Sequence, residues 1–339
     1  MQKLLPMWFA EGYRAQVESV RSESPDVYSL VLKPSRHWLG FKAGQHITIT
    51  AEKDGAYLSR NFSISSSPAF FEATGTIELS IRVQDGGLLT PWLKEHFSHH
   101  LYTFVNISAA KGLFVLPSSA EPLLFIAGGS GVTPFRSMLQ QLSLKKQSRD
   151  IHLIYYARDA DSHLFKQELI TIERSFPKLK ISFLNDIENG YFSDQILKQV
   201  CPDFLQRSAY ICGPSSMLSL SRKVLAQLNV PTEQVFFEYF GAVPLDFPRS
   251  GETSSLVSFK KSNRIGQFDS SAPKTLLALA EDLGLNPLSG CRAGVCHQCV
   301  CRKESGVVYN TLTGKESGTG AEEIQLCVCV PSTDLVLDV

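Results

Sequence analysis

The fold of the central part of this chain is decided by the stretch Leu123-Leu124-Phe125-Ile126-Ala127-Gly128-Gly129-Ser130-Gly131-Val132-Thr133-Pro134. Five apolar residues, typical of a buried strand, run directly into a glycine-rich turn, and a helical pattern follows through Leu142. A second apolar run, residues 151–157, has the length of another strand. Because strands that alternate with helices form parallel sheets, we predict an α/β domain over residues 119–240.

The chain before this domain has a different pattern, in which apolar and polar residues alternate between turns rich in Gly and Pro. The alternating runs are residues 27–32, 46–50 and 77–83. Alternation of this kind is typical of strands that are buried on one face only. We therefore predict an antiparallel β-barrel or sandwich over residues 13–118.

A third unit follows the α/β domain. Residues 241–254 are interrupted repeatedly by Gly and Pro and contain few large apolar side chains, which is typical of a linker. Beyond it, residues 256–268 have the pattern of a hairpin and residues 275–283 that of a short helix. The third unit is predicted to span residues 255–339.

Charge and composition narrow the class of protein. Lys plus Arg (33) equals Asp plus Glu (33), so the chain lacks the basic excess of a nucleic-acid-binding surface, and no nucleic-acid partner is predicted. With 43% hydrophobic and 19% charged residues it is not expected to be disordered. It contains no uninterrupted apolar run of about 18 residues, so no membrane span is predicted. The first twelve residues lack a convincing signal-peptide cleavage site, which predicts a cytoplasmic protein.

The cysteines are concentrated near the end of the chain, where six of the eight lie in the last 49 residues. Cys291, Cys296 and Cys299 have the spacing C-x4-C-x2-C, and Cys327 follows after 27 intervening residues. This is the plant-type spacing for a 2Fe-2S cluster. A zinc site made of Cys296, Cys299, Cys327 and Cys329 is the alternative, but it leaves Cys291 unexplained.

The same loop resembles plant-type ferredoxin domains, which implies an α+β fold of the β-grasp type for the third unit. Members of that family usually have a proline four residues after the fourth ligand. Pro331 stands at that distance from Cys327, which favours Cys327 over Cys329. Cys301 and Cys329 are then interpreted as small buried side chains beside the cluster.

The first domain carries the motif Arg60-Asn61-Phe62-Ser63, which resembles the R-x-Y-S/T motif of the ferredoxin-NADP reductase superfamily with Phe in place of Tyr. The resemblance implies bound flavin, with FAD favoured over FMN. An arginine suits the flavin phosphate, an aromatic ring packs on the isoalloxazine, and a hydroxyl can bond near N5. The alternative is that Phe62 is a core residue.

A second motif of the first domain is Gly86-Gly87-Leu88-Leu89-Thr90, which stands before a helical pattern. It resembles the G-G-x-x-S/T segment of the same superfamily, and the resemblance implies that it binds the flavin phosphate. Amide groups at a helix start bind phosphate well, and glycine allows close approach. An ordinary turn before a helix is the alternative.

The central stretch resembles the G-G-x-G-x-T-P turn of that superfamily, and a proline can begin a helix without losing a needed donor. The resemblance assigns nucleotide binding to Gly128, Gly129, Gly131, Thr133 and Pro134. Cys212-Gly213-Pro214, with Met217, is similar to the C-G-P-x-x-M segment on the opposite side of the nicotinamide. The residues predicted to take part in catalysis are Ser63, Thr133 and Cys212.

Two further positions bear on the nucleotide and the flavin. Arg158 ends the strand 151–157, where an arginine can pair with a 2'-phosphate, so NADPH is slightly favoured over NADH. A solvated strand end is the alternative. Phe240, in a segment that resembles the family's F-E-x-F, is predicted to cover the flavin or to pack in the domain.

Together the motifs are similar to fused reductases that pass electrons from NAD(P)H through flavin and a 2Fe-2S cluster to a protein acceptor. The segments 37–46 and 60–68 are most similar to reductases of membrane fatty-acyl desaturases, and oxygenases are the other class of acceptor. With a desaturase, contact with the membrane would be peripheral and made through the partner. The alternative function is a redox sensor that uses flavin and cluster to regulate a partner.

Overall fold

The computed structural model describes residues 12–53, 56–84, 86–87, 89–239, 254–289, 292, 294 and 297–339. The chain forms two compact units, Met1–Glu238 and Tyr239–Val339. The predicted linker, apart from Ser254, lies outside the described residues. Within the described part of the chain, no helix combines the length and the apolar character that crossing a membrane requires.

The first unit begins with a six-stranded antiparallel sheet. Its strands are β1 (Tyr13–Ser24), β2 (Val27–Pro34), β3 (His46–Lys53), β4 (Ala56–Ser63), β5 (Ile77–Arg82) and β6 (Phe104–Ile107), in the order β4-β3-β6-β1-β2-β5. A bridge between Ile64 and Leu79 joins the two edges, so the sheet closes into a barrel. Two helices, α1 (Pro68–Thr74) and α2 (Leu89–His99), connect the strands. The predicted antiparallel architecture is confirmed, and it is the barrel.

The core of the barrel follows from the alternation seen in sequence. Ile47, Ile49, Leu30 and Leu79 point inward and are completely buried. Successive side chains of a strand point to opposite faces, so every second residue meets the core.

The rest of the first unit is a five-stranded sheet with helices between its strands, as predicted. The strands are β7 (Leu123–Gly128), β8 (Ile151–Ala157), β9 (Leu179–Asn185), β10 (Ser208–Gly213) and β11 (Val235–Tyr239), in the order β11-β10-β7-β8-β9. The helices are α3 (Thr133–Leu144), α4 (Lys166–Ser175), α5 (Asp186–Asn189), α6 (Asp194–Val200) and α7 (Ser215–Gln227). Strands β10, β7, β8 and β9 run parallel. All residues of β7 and β8 are buried, because helices cover both faces of such a sheet.

The second unit has the predicted α+β fold. Its strands are β12 (Ser254–Phe259), β13 (Arg264–Asp269), β14 (Val300–Ser305), β15 (Val308–Asn310), β16 (Lys315–Glu316), β17 (Glu322–Gln325), β18 (Cys329–Pro331) and β19 (Leu335–Leu337). One mixed sheet has the order β13-β12-β19-β14-β17, and a small one the order β16-β15-β18. Helix α8 (Leu276–Asp282) starts at Thr275, whose Oγ1 accepts a hydrogen bond from Ala278 N at 3.2 Å.

Candidate active site

A buried chain of polar side chains lies where β3, β4 and β11 meet. The register of β3 and β4 places His46 opposite Ser63. Ser63 Oγ donates to Glu238 Oε2 at 3.0 Å, and His46 Nδ1 lies 3.0 Å from Glu238 Oε1. All three residues are buried. The site therefore holds a carboxylate whose two oxygens are both engaged away from water, as a buried polar group requires.

The close packing around His46, Ser63 and Glu238 requires a glycine at position 112. Gly112 has φ +106, and a Cβ there would lie 2.9 Å from His46 Nδ1. Gln45 Nε2 donates to the Gly112 carbonyl at 3.2 Å and fixes the loop segment that carries it. A side chain at this position would displace the imidazole from Glu238.

Cys212 lies at the end of β10 and is completely buried. Burial, and secondarily the Glu238 carboxylate, raises the pKa of the Cys212 thiol well above its ordinary value. The side chain is therefore a neutral thiol. It can form one wall of a reaction site but is not a thiolate nucleophile.

The glycine turn after β7 packs directly on the Cys212-Gly213-Pro214 segment. A Cβ on Gly131 would lie 2.3 Å from the Cys212 carbonyl oxygen, and one on Gly128 would lie 2.3 Å from Met217 Sδ. These contacts explain why both motifs need small residues: they bring two stretches of backbone together. The structure thus brings the two predicted nicotinamide-binding segments side by side.

Thr133 and Pro134 begin α3, as the turn motif predicted. Thr133 is buried, and its Oγ1 donates to the Ser130 carbonyl at 3.0 Å. The hydroxyl proton is therefore engaged in this hydrogen bond within the turn, and the hydroxyl oxygen can still accept a hydrogen bond from another group.

A cavity of about 690 Å³ opens at the carboxyl ends of β7 and β8. Gly128, Gly129, Tyr156, Arg158 and Met217 are among the residues that line it. This edge, beside the point where strand order reverses, is where parallel α/β sheets bind ligands. The predicted glycine turn and Arg158 thus belong to one cavity.

Tyr156 contributes a buried hydroxyl that has no hydrogen-bond partner among the residues that the structure describes. Burial, with a contribution from Asp186, raises the pKa of Tyr156 to about 12, so the hydroxyl keeps its proton. An unpaired buried hydroxyl in a cavity lining fits a polar ligand such as a nucleotide.

The Arg60-Asn61-Phe62-Ser63 motif forms the end of β4. Arg60 Nη1 donates to the Ser59 carbonyl at 2.7 Å, and Asn61 Oδ1 accepts from Thr48 Oγ1 at 2.7 Å. Phe62 is half-buried and packs against the barrel core. The motif therefore anchors the strand as well as placing Ser63 beside Glu238.

The predicted phosphate-binding segment runs into α2, whose first two residues are Leu89 and Thr90. Gly86 has φ +69 with no atom within 4 Å of a Cβ built there, and Gly87 N donates to the Gln84 carbonyl at 2.8 Å. Thr90 Oγ1 accepts from Gln84 N at 3.0 Å. The Leu89 side chain lies in the barrel core, so only its backbone can face a phosphate. Leu88 and Phe240 lie outside the described residues.

Two of the predicted cluster ligands, Cys299 and Cys327, are described, and both are buried. Leu326 N donates to the Cys299 carbonyl at 3.1 Å, which brings the two cysteine segments together although they are far apart in sequence. Cys291 and Cys296 lie outside the described residues. Two buried thiols on adjacent segments fit the soft metal centre that the spacing predicts.

Two polar contacts hold the described part of the cluster loop. Gln325 Nε2 donates to the Gly294 carbonyl at 2.8 Å, and Arg292 forms an ion pair with Glu281 of α8. Gly294 has φ +71, and a Cβ there would lie 3.0 Å from Leu312. The loop conformation therefore requires glycine and is fixed from both sides.

Cys301 and Cys329 lie in strands β14 and β18. Burial raises the pKa of each thiol to about 12. Their backbone pairs with Ile324 and Asn310, respectively, in regular ladders.

Comparison with known proteins identifies the three parts of the chain. Residues 14–115 match the family model of the oxidoreductase FAD-binding domain, residues 125–223 that of the oxidoreductase NAD-binding domain, and residues 261–332 that of the 2Fe-2S iron-sulfur cluster binding domain. An NADPH oxidoreductase of Mycobacterium tuberculosis is 30% identical over 336 residues, covering 98% of this chain and 86% of that protein. The chain belongs to the NAD(P)H-dependent iron-sulfur flavoprotein reductases.

Two further matches agree with this assignment. A glycine betaine monooxygenase reductase subunit of Chromohalobacter salexigens is 25% identical, covering 88% of this chain and 87% of its own. The structure of phthalate dioxygenase reductase has a similar fold, with a TM-score of 0.61 and 23% identity over 96% of this chain and 98% of that one. The predicted cofactors, FAD, NAD(P)H and a 2Fe-2S cluster, are confirmed, and the zinc alternative is set aside.

Sequence reasoning missed two residues of the buried polar cluster that contains Ser63. In sequence, Glu238 is part of the segment that resembles F-E-x-F, and His46 ends the segment 37–46 that is similar to other reductases. No local pattern predicts that Glu238 meets Ser63 and His46, because Glu238 lies 175 positions after Ser63 and 192 positions after His46.

Proposed function

We propose that this reductase delivers electrons one at a time to a protein acceptor that activates O2, an oxygenase or a fatty-acyl desaturase. FAD held by the first domain would supply hydride acceptance from NAD(P)H, and a 2Fe-2S cluster held by the second unit would supply one-electron transfer. The reductase subunit of glycine betaine monooxygenase among the relatives supports an oxygenase, and the segments 37–46 and 60–68 support a desaturase. Both classes need single electrons in sequence.

The observation that carries the flavin part of the proposal is the hydrogen-bonded chain from Ser63 through Glu238 to His46. The arrangement allows a proton that arrives at Ser63 Oγ to pass to Glu238 Oε2, while His46 holds the other carboxylate oxygen in place. Burial of all three side chains keeps bulk water away from this route. We assign Ser63, with Glu238, to proton handling at the flavin.

The remaining motif residues are assigned to binding. Thr133 and Cys212 would form the two walls of the nicotinamide site, with Gly128, Gly129, Gly131, Pro134, Gly213 and Pro214 bringing the backbone close. Arg60, Asn61 and Phe62 would hold the flavin, and Gly86, Gly87, Leu88, Leu89 and Thr90 its phosphate. Phe240 would cover the flavin. Cys291, Cys296, Cys299 and Cys327 would ligate the cluster.

The domain limits that fit this assignment are residues 13–118 for flavin, 119–240 for the nucleotide and 255–339 for the cluster, with 241–254 as the linker. A regulatory sensor would need flavin and cluster but not rapid turnover. The assignment as a reductase therefore predicts fast NAD(P)H oxidation in the steady state, and slow turnover with every acceptor would favour the sensor.

The test compares Ser63→Ala with Thr50→Ala, which removes a hydroxyl from a β3–β4 contact with Ser59 that does not involve Glu238. Flavin reduction by NADPH or NADH, and reoxidation of the reduced flavin by ferricyanide, are followed anaerobically by stopped flow. Ser63→Ala should slow reoxidation, in which the reduced flavin must release a proton, by about 10- to 1000-fold, and Thr50→Ala should leave it within about twofold. Equal rates in the two variants would contradict the role of Ser63.

The acceptor is tested with the oxygenase component of a glycine betaine monooxygenase and with cytochrome c. Substrate hydroxylation that requires this reductase and stops when Cys327→Ser removes a proposed ligand would support the proposal. If the intact chain reduces cytochrome c rapidly but supports no hydroxylation above the level of the Cys327→Ser variant, the oxygenase acceptor is wrong.

A further inference from the structure

One wall of the nucleotide cavity comes from the barrel and carries a carboxylate between two arginines. Asp26 lies in the turn between β1 and β2, and its Oδ2 lies 3.0 Å from Arg82 Nη2 and 3.7 Å from Arg158 Nη2. All three residues line the cavity. We propose that Asp26 is a specificity-determining residue that disfavours 2'-phosphorylated nucleotide by occupying and neutralising Arg158.

The proposal deepens the proposed function, since it rests on the placement of the adenosine half of NAD(P)H in this cavity. The arginine at the end of β8 is the group available to pair with a 2'-phosphate. Its side chain is 71% exposed and its ion-pair partner is Asp26, so a phosphate must compete with that carboxylate.

Two hydrogen bonds within the barrel hold Asp26 in position in addition to its ion pairs with the arginines. Ser24 Oγ donates to Asp26 Oδ1 at 2.9 Å, and Val83 N donates to the Asp26 carbonyl at 2.8 Å. The carboxylate is therefore held at the cavity edge with Oδ2 directed at both guanidinium groups. Arg82, the nearer partner, belongs to β5 of the same barrel.

The charge balance gives the direction of the effect. NADPH carries about two more negative charges than NADH, and they lie on the 2'-phosphate. Asp26 repels that phosphate and occupies N–H donors of Arg158 that would otherwise bind it. A nucleotide with an unphosphorylated ribose lacks this charge, so Asp26 weakens its binding much less. Asp26 is 37% exposed, so salt should weaken the discrimination.

Asp161 offers a matched control in the same cavity. Among the described residues it forms no ion pair with Arg82 or Arg158, so Asp161→Asn removes one charge from the cavity without releasing either arginine. Asn at position 26 retains an oxygen that can accept from Ser24, which preserves the turn.

The experiment measures binding of 2',5'-ADP and 5'-AMP to the oxidised holoenzyme by calorimetry at low and high salt. Asp26→Asn should tighten 2',5'-ADP by about 3- to 10-fold and change 5'-AMP by less than about twofold. Asp161→Asn should give a clearly smaller change in the ratio. In an Arg158→Gln background, Asp26→Asn should lose its effect on the ratio, since coupled residues are not additive.

Three results overturn the proposal. An unchanged ratio in Asp26→Asn, with both fragments bound, contradicts the inference alone. Equal shifts in Asp26→Asn and Asp161→Asn show that general charge, and not the Asp26 pair, is responsible. Failure of both fragments to bind the wild-type holoenzyme overturns the placement of adenosine in the cavity and the inference with it.

Discussion

Cys327 and Cys329 are two residues apart and lie in different surroundings. Cys327 precedes β18 in the segment that meets Cys299, whereas Cys329 is part of the β18 ladder opposite Asn310. Cys327 directly follows Leu326, whose amide donates to the Cys299 carbonyl, so Cys327 lies on the segment that adjoins another proposed ligand. The difference supports the assignment of the fourth ligand.

We expect Cys327→Ser to abolish or shift the visible and EPR signals of the cluster and Cys329→Ser to leave them unchanged, because only the first replaces a ligand. Both variants are purified anaerobically and compared at equal flavin content. Cys301→Ser serves as a second control. Retention of the signals in Cys327→Ser together with their loss in Cys329→Ser would reassign the fourth ligand.

At the scale of secondary-structure elements, helix α3 connects the glycine turn after β7 to the barrel. Ser137 Oγ donates to the Ser66 carbonyl at 2.6 Å, and Gln140 Oε1 accepts from Ser67 N at 2.7 Å. Arg136 Nη1 donates to Glu78 Oε2 of β5 at 2.7 Å, and both side chains are buried. Because Thr133 begins this helix, these bonds also set its position relative to the barrel.

Arg136→Met should destabilise the first unit by about 3–5 kcal/mol, because it leaves the buried Glu78 carboxylate without its main partner. Urea denaturation followed by flavin fluorescence measures the loss. The double variant Arg136→Met with Glu78→Gln should recover part of it, since no buried charge then remains unpaired. A double variant that is less stable than Arg136→Met alone would contradict this explanation.

Strand β8 carries a buried histidine, and it gives the nucleotide domain a pH dependence. Burial, together with Lys180 and Arg207, lowers the pKa of His152 to about 4, and its Nε2 lies 2.9 Å from Ser182 Oγ. Between pH 6.5 and pH 4, His152 is therefore protonated in the unfolded chain, where a histidine has a pKa of about 6.5, but stays neutral in the folded chain. His152 therefore lowers the free energy of unfolding as the pH falls from 6.5 towards 4. Above pH 6.5 it has no such effect, because it is neutral in both the folded and the unfolded chain.

We expect the free energy of unfolding to fall by about 2–3 kcal/mol more in the wild type than in His152→Gln between pH 6.5 and pH 4. Gln can still bond Ser182 but does not titrate. Denaturant midpoints measured across this range give the difference. Parallel pH curves for the two proteins would show that His152 does not cause the loss.

At the scale of the whole molecule, the chain consists of two compact units with different chemistry. Met1–Glu238 contains the closed barrel and the parallel sheet, and Tyr239–Val339 contains the mixed sheet and the cluster loop. Hydride transfer needs only flavin and nicotinamide, whereas delivery of single electrons needs the cluster. The two activities should therefore be separable.

Removal of residues 250–339 should leave a flavoprotein that oxidises NAD(P)H with ferricyanide at a rate close to that of the intact chain. Reduction of cytochrome c should fall by about 10-fold or more, because direct transfer from flavin lacks the one-electron step through the cluster. The full-length Cys327→Ser variant is the control and should behave like the truncated chain. Cytochrome c reduction at the intact rate by the truncated chain would refute the proposed electron route.

The parts that could be predicted from sequence are those encoded locally. Strand β8 has the bounds of its apolar run, 151–157, and α8 begins after Thr275, because periodicity and capping act over a few residues. The glycine turn and the C-x4-C-x2-C spacing are local as well, because each depends on the backbone conformation of one short segment. The alternation of apolar residues allows a barrel or a sandwich, and the bridge between Ile64 and Leu79 decides for the barrel.

The sequence by itself therefore determined the order of the domains, their fold classes and the cofactors. The tertiary structure decided which distant side chains share a site: Glu238 with Ser63, and Asp26 with Arg158. It also buries Lys303, whose Nζ donates to the carbonyls of three glycines at 2.7 Å each. The physical reason is that contacts between remote residues depend on how whole elements pack, and no period or motif in the chain records which of them meet.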